Sequence, residues 1–303
     1  MEYLLQTKDL SKSFGGKMVV DRISIGVKKG DIYGLIGENG AGKTTLMRMA
    51  CGLAEASSGE IMLFGSTDLV SKRHRMGCTI ENPALYPSMT AMENMEAQRL
   101  LLGIKDEKVS KKLLDMVGLS MTDKKKAKNF SLGMKQRLMI ALSLLGDPEL
   151  LVLDEPINGL DPMGIKEVRD LFLHLNKERG MTILVSSHIL GELEKISTRY
   201  GIISNGKMVD EFQADELSSR CGKNLLIYSN DAMKTKEIIS RMFSNVQCEK
   251  MFEDAIRLKG HIEEAGSINT KLINAGITVK ALIPESESLE DYFMSLMGGK
   301  KHD

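Results

Sequence analysis

The octapeptide Gly37-Glu38-Asn39-Gly40-Ala41-Gly42-Lys43-Thr44 fits the pattern G-x-x-x-x-G-K-[ST] and constrains this chain more than any other segment. It follows directly on a short apolar run, Ile32-Tyr33-Gly34-Leu35-Ile36. It leads into Thr44-Thr45-Leu46-Met47-Arg48-Met49-Ala50, which reads as a helix. Glycines let a strand-to-helix loop turn tightly, so that successive backbone amides face one anion. The helix adds the partial positive charge of its N-terminus. The loop therefore predicts a nucleotide phosphate site, with Lys43 at the β- and γ-phosphates and the Thr44 hydroxyl at a Mg²⁺ position. Such a pattern arises by accident in roughly one chain of this length in a hundred. The flanking strand and helix make accident rarer still.

A second buried run, Leu150-Leu151-Val152-Leu153, ends in Asp154-Glu155-Pro156. Continuous apolar runs of this kind suit strands covered on both faces of a parallel sheet. Thr182-Ile183-Leu184-Val185 is another, with a helical stretch at about 163–178 between the two. Acids at the C-terminal end of a parallel strand stand where such sheets bind ligands. Asp154 suits a Mg²⁺ held through water. Glu155, one residue on, points elsewhere and can take a proton from an attacking water.

The remaining sequence sorts into two regions. Ile23, Ile25 and Val27 alternate as in a half-buried strand. Residues 90–146 are mainly helical, and Thr90 with Glu93 has the spacing of a capping box. Asn205-Gly206 between two apolar runs signals a hairpin. A polar stretch at 212–224 reads as a linker. Beyond it the expected elements are a strand at 225–229, a helix at 232–243, strands at 246–251 and 255–258, a helix at 262–274, a strand at 277–282 and a helix at 289–297. The order β-α-β-β-α-β is that of a ferredoxin-like split βαβ.

Composition closes off several classes. Lys plus Arg is 41 and Asp plus Glu is 41, so the net charge is zero, against a protein held to nucleic acid by phosphate contacts. There is no run of about 18 apolar residues, and the N-terminus lacks the apolar segment of a secretory signal. Cys51, Cys78, Cys221 and Cys248 are widely spaced, which argues against a disulfide scaffold or zinc site and fits a reducing cytosol.

Taken together these motifs resemble the ATP-binding subunits of ABC transporters, over about residues 3–215. Gly37–Thr44 is similar to the family's Walker A and Leu150–Glu155 to its Walker B. Asn129-Phe130-Ser131-Leu132-Gly133-Met134-Lys135-Gln136-Arg137 resembles the signature, Gly159-Leu160-Asp161-Pro162 the D-loop, His188 the switch histidine and Phe14 the aromatic residue that stacks on adenine. The resemblance implies a P-loop NTPase domain over residues 1–215, a RecA-like parallel sheet with an antiparallel β subdomain and a helical subdomain at about 84–146. A linker at 216–224 and a C-terminal α+β domain at 225–303 complete the expected organisation.

The resemblance further implies ATP and Mg²⁺ as cofactors. Phe14, the loop from Gly37 through Glu38, Asn39, Gly40, Ala41, Gly42, Lys43 and Thr44 to Thr45, and Ser131, Gly133 and Asp161 would hold the nucleotide. Thr44, Glu81 and Asp154 would hold the metal, and Glu155, His188 and Lys43 would carry the chemistry. Two copies would close head to tail, with Ser131 and Gly133 of one on the γ-phosphate held by the other. The partners would be that second copy and a membrane permease contacted through residues 81–95, with the chain peripheral on the cytoplasmic face of the membrane and no nucleic acid partner.

Two segments depart from the family's pattern. Leu132 and Met134 replace the usual glycine and glutamine of the signature, and Glu81, in Thr79-Ile80-Glu81-Asn82-Pro83, replaces a glutamine. Glutamate here, with F-S-L-G-M-K-Q-R, resembles the subfamily for bacitracin resistance and lantibiotic self-immunity. The implied function is export of a peptide antibiotic or similar amphiphile. Rival readings are export of lipid or polysaccharide, a soluble ABC ATPase acting on ribosomes or DNA, and a P-loop kinase or GTPase. Met89, Met92 and Met95, at i, i+3 and i+6, read as helix core or as part of a groove for a permease helix. Lys124, Lys125, Lys126 and Lys128 read as a solvated face or a contact to anionic lipid headgroups.

Overall fold

The computed structural model describes residues 2–81, 85–122, 124–217, 223–243, 246–286 and 289–297. The chain divides into two units, residues 1–214 and 215–303. In the first unit the strands are β1 (Tyr3–Phe14), β2 (Lys17–Ile23), β3 (Gly26–Lys28), β4 (Ile32–Ile36), β5 (Ser58–Leu63), β6 (Met76–Thr79), β7 (Leu150–Leu153), β8 (Thr182–Ser187), β9 (Arg199–Ser204) and β10 (Lys207–Gln213). Its helices are α1 (Lys43–Cys51), α2 (Leu69–Arg73), α3 (Ala91–Leu101), α4 (Lys108–Met116), α5 (Leu132–Ser143), α6 (Pro162–Arg179) and α7 (Leu190–Glu194).

Six strands form one sheet in the order β10-β9-β4-β8-β7-β6. From β9 to β6 every neighbouring pair is parallel. Every residue of β4, β7 and β8 is buried, which is why these segments read as unbroken apolar runs rather than alternating ones. α1 covers this sheet, with Leu46, Met47, Met49 and Ala50 in the same core as Leu35, Val152 and Leu184. Each fully buried Leu, Val or Met among these contributes about 1.5–3 kcal/mol. β10 closes the edge as a hairpin on β9, with Asn205 (φ 49°) and Gly206 (φ 77°) both left-handed, as a type I′ turn requires.

β1 is the centre of an antiparallel sheet, pairing with β2, β3 and β5. The alternation at Ile23, Ile25 and Val27 does not lie in one strand. Ile23 ends β2, Val27 belongs to β3, and Ile25 sits in the break between them. Arg22 is left-handed (φ 51°), and the Thr7 hydroxyl bridges the break by donating to Ile23 O and accepting from Ile25 N. All three apolar side chains still enter the core.

α3, α4 and α5 form a helical region. The capping box is present: Thr90 accepts from Glu93 N and Glu93 accepts from Thr90 N at 2.6 Å. A cap of this type is worth about 1 kcal/mol. It also corrects the methionine spacing. The helix begins at Ala91, so Met89 precedes it and shares no helical face with the others. Met95 is fully buried, whereas Met92 is exposed and lines a small cavity with Lys111, Leu114 and Leu119. Of the lysine run, Lys126 pairs with Glu93 at 3.1 Å and Lys125 lies over the Phe130 ring.

The second unit holds β11 (Lys223–Ser229), α8 (Ala232–Met242), β12 (Cys248–Phe252), β13 (Ala255–Lys259), α9 (Ala265–Asn274), β14 (Val279–Ser286) and α10 (Leu289–Met297). Its sheet runs β12-β13-β11-β14, antiparallel throughout, which is the strand order of a ferredoxin-like split βαβ. Leu225, Ile227, Ile239, Leu258, Ile268 and Leu272 share a core of their own. Cys221 and residues 218–222 of the linker lie outside the described residues. Among the described cysteines none is bonded, yet the thiols of Cys51, at the end of α1, and Cys78, in β6, hydrogen-bond each other. That bond pulls the Cys78 thiol down to about 7 and, with burial, pushes the Cys51 thiol up.

Candidate nucleotide site

The strand order positions this site. β8 lies between β4 and β7, so the C-terminal ends of three parallel strands sit side by side. From β4 comes the Gly37–Lys43 loop, from β7 come Asp154 and Glu155, and from β8 come Ser186, Ser187 and His188. β6 is next beyond β7 and delivers Glu81.

The loop is backbone-tight. A Cβ on Gly37 would lie 2.4 Å from Ile203 O. Gly42 has φ 108° and caps α1, and a Cβ there would lie 2.7 Å from Val19 O. No L side chain fits either position. Glu38, Asn39 and Gly40 are exposed at the tip, Ala41 is buried beneath it, and Thr44 and Thr45 are part-buried in the first turn of α1. Lys43 is only 5% exposed. Its Nζ donates to Gly37 O at 2.6 Å and Glu38 O at 3.3 Å, and lies 3.3 Å from Glu155 Oε1. The ammonium is thus folded into the loop, at its focus.

Two adjacent acids face two adjacent residues of α1. The Thr44 hydroxyl donates to Asp154 Oδ2 at 2.7 Å. Ser186 Oγ donates to Asp154 Oδ1 at 2.6 Å and accepts from Glu155 N at 2.9 Å. Glu155 is left-handed (φ 48°), a conformation that costs a non-glycine residue about 1–3 kcal/mol and recurs at functional sites. It carries the carboxylate away from Asp154, to His188 Nδ1 at 2.8 Å from Oε2. A hydroxyl and a carboxylate converging within 2.7 Å are the hard oxygen donors that Mg²⁺ takes. Residues that sequence reading missed are Ser186, whose only signal was a serine ending a buried strand, and Arg48, four residues after Thr44 on α1.

The other expected residues lie elsewhere. The Glu81 carboxylate pairs with Arg48 Nη2 at 2.5 Å rather than with Thr44 or Asp154. Residues 82–84 lie outside the described residues. Phe14 ends β1 half-exposed, with Lys12 Nζ 4.9 Å from its ring centroid. Ser131 caps α5, accepting from Met134 N at 3.2 Å, and Asp161 caps α6, accepting from Gly164 N at 3.1 Å. Gly133 lies near the loop that enters α6: a Cβ there would meet Leu160 Cδ2 at 3.8 Å. Leu132, half-exposed, packs over Gly159. The hydrogen bonds of Ser131 and Asp161 are therefore to their own helices and not to the Gly37–Thr44 loop.

Comparison with known proteins bears on the chain as a whole. A model described as ABC transporter matches residues 20–158. The chain is 42% identical to a bacitracin transport ATP-binding protein of Bacillus licheniformis, over 99% of both chains, so both units have counterparts there. It is 42% identical to a lantibiotic transport ATP-binding protein of Streptococcus pyogenes, over 70% of this chain and 92% of that one. A solved ATP-binding subunit of an ABC transporter superposes with a TM-score of 0.63 at 30% identity, covering 72% of this chain and 92% of its own.

Proposed function

Since the chain belongs to the family of ABC transporter ATP-binding subunits, and is an ATPase of that family, we propose that it powers export of a peptide antibiotic such as bacitracin or a lantibiotic. The match to the bacitracin relative along the whole of both chains carries this reading. No helix among the described residues is long and apolar enough to cross a membrane, so export requires a separate permease. The chain would work from the cytoplasmic face, against a permease segment received by the region 81–95.

The site residues divide the chemistry. Lys43 and the loop amides hold the β- and γ-phosphates. Thr44 and Asp154 would hold Mg²⁺, which would supply positive charge against the negative charge that develops on the phosphate. Glu155 takes a proton from the attacking water, and His188 orients its carboxylate. Ser131 and Gly133 complete the site of a second copy; in its own chain Ser131 bonds Met134 N of α5 rather than the Gly37–Thr44 loop. Glu81 serves as a metal-linked relay to the permease. The test expresses the chain with the membrane protein encoded beside it in a drug-sensitive host. Tolerance to bacitracin or a lantibiotic should rise with the native chain and not with Lys43→Ala. Equal tolerance with and without the native chain across such peptides would overturn the cargo assignment.

A further inference from the structure

Glu81 is a departure from the family's pattern, and its partner supplies a physical reason for it. It stands two residues beyond Thr79, the last residue of β6, with a left-handed backbone (φ 60°). Its foundation is firm: Thr79 pairs with Leu153, and Asp154 N donates to Thr79 O at 2.9 Å. From there the carboxylate meets Arg48 Nη2 at 2.5 Å. Arg48 follows Thr44 by one helical turn, so the two side chains share a face of α1. Four residues of helix rise about 6 Å. One face of α1 therefore carries the hydroxyl that binds Asp154 at its N-terminal end and the guanidinium that binds Glu81 about a turn further on.

The charge of residue 81 is what this contact uses. A glutamine could accept one hydrogen bond from Arg48, but only a carboxylate makes the ion pair. Both partners are part-exposed, 40% and 56%, so water screens the pair and it can exchange.

We propose that Arg48 is a positioning residue for Glu81: it holds the carboxylate one helical turn from the Thr44–Asp154 pair and competes with Mg²⁺ for it. The inference rests on the reading of Glu81 as metal-linked. With metal-bound nucleotide in place, Glu81 would leave Arg48 for the Thr44 end of α1. A weak partner suits this role, since a buried pair would cost too much to open on every cycle.

The experiment measures equilibrium binding of a fluorescent non-hydrolysable ATP analogue to the purified full chain, titrated with Mg²⁺ from a chelated start. Arg48→Gln should lower the Mg²⁺ midpoint about two- to fivefold, the range for a part-exposed ion pair. Glu81→Ala should raise it. In the double variant Arg48→Gln should have no further effect, since its partner is gone. Arg48→Met, which keeps the stem, should repeat the Arg48→Gln shift, and Arg48→Lys should restore most of the native midpoint. Analogue affinity without Mg²⁺ should stay the same in all. An unmoved or raised midpoint in Arg48→Gln and Arg48→Met, with Glu81→Ala still shifted, overturns the assignment of Arg48 alone. A shift of equal size with and without Glu81 also overturns it. If Glu81→Ala leaves the midpoint unmoved even on top of Arg48→Gln, Glu81 does not reach the metal, and the underlying reading fails with the inference.

Discussion

Glu155→Gln isolates the proposed proton-accepting role, because the substitution keeps size and removes charge. In the structure Glu155 Oε2 meets His188 Nδ1 at 2.8 Å, and Oε1 lies 3.3 Å from Lys43 Nζ. An amide can still hydrogen-bond His188, so the side chain should keep its place, but it cannot accept a proton at neutral pH. Loss of a general base costs about 10²–10⁴ in rate, or about 3–5 kcal/mol of barrier at 1.36 kcal/mol per decade. Binding should move the other way. Glu155 is the acid that pairs with Lys43, and neutralising it leaves the ammonium free for phosphate. Nucleotide affinity should be equal to or tighter than the native value. Single-turnover phosphate release, with analogue binding measured on the same preparation, reads both quantities. A loss of less than tenfold in the chemical step with binding intact would refute Glu155 as base. A large loss of binding would refute the competition for Lys43.

The proposed exchange of residues between two copies predicts complementation: Lys43→Ala and Ser131→Arg chains, each inactive alone, should regain hydrolysis when mixed, because one composite site then has a native Lys43 and a native Ser131. Mixtures that dimerise and stay inactive at every ratio would sink the head-to-tail arrangement. The lowered Cys78 thiol predicts a distinct reactivity profile. Only the thiolate alkylates, so iodoacetamide labelling of Cys78, followed site by site by mass spectrometry, should reach half its maximal rate near pH 7 and fall away below it. Cys248, pushed up by burial, should titrate later, and Cys51→Ala should move Cys78 back toward its ordinary value. A Cys78 midpoint above about 8.5 would contradict the thiol–thiol bond.

What the sequence made legible was local. The Gly37–Thr44 loop, the Thr90 cap and the Asn205-Gly206 hairpin each depend on residues a few positions apart, so their backbone geometry is written where it is used. The acids after Leu153 were legible as a strand ending, though their partners were not. Ser186 meets Asp154 only because β8 inserts between β4 and β7, and no run of residues encodes that order. The same holds for Arg48 with Glu81 and Cys51 with Cys78, which join α1 to the edge strand β6. Periodicity misled where an element began or broke inside the pattern, as at Met89 before the cap and at Ile25 between β2 and β3.

The contacts between α1 and β7 also explain why the two acids must be adjacent. Consecutive residues at a helix N-terminus diverge by about 100°, and consecutive residues leaving a strand point to opposite sides. Lys43 and Thr44 therefore open in two directions, and Glu155 and Asp154 meet them in the same two. One direction holds an ammonium, a carboxylate and His188, the other a hydroxyl and a carboxylate. The left-handed turn at Glu155 is what separates the two acids, and Ser186 fixes that turn by bonding Asp154 Oδ1 and Glu155 N together. Removing the Ser186 hydroxyl would leave both acids present but unlock the angle between them. The two sides of the proposed site, hydroxyl with carboxylate and carboxylate with histidine, are thus set by one backbone conformation and one serine.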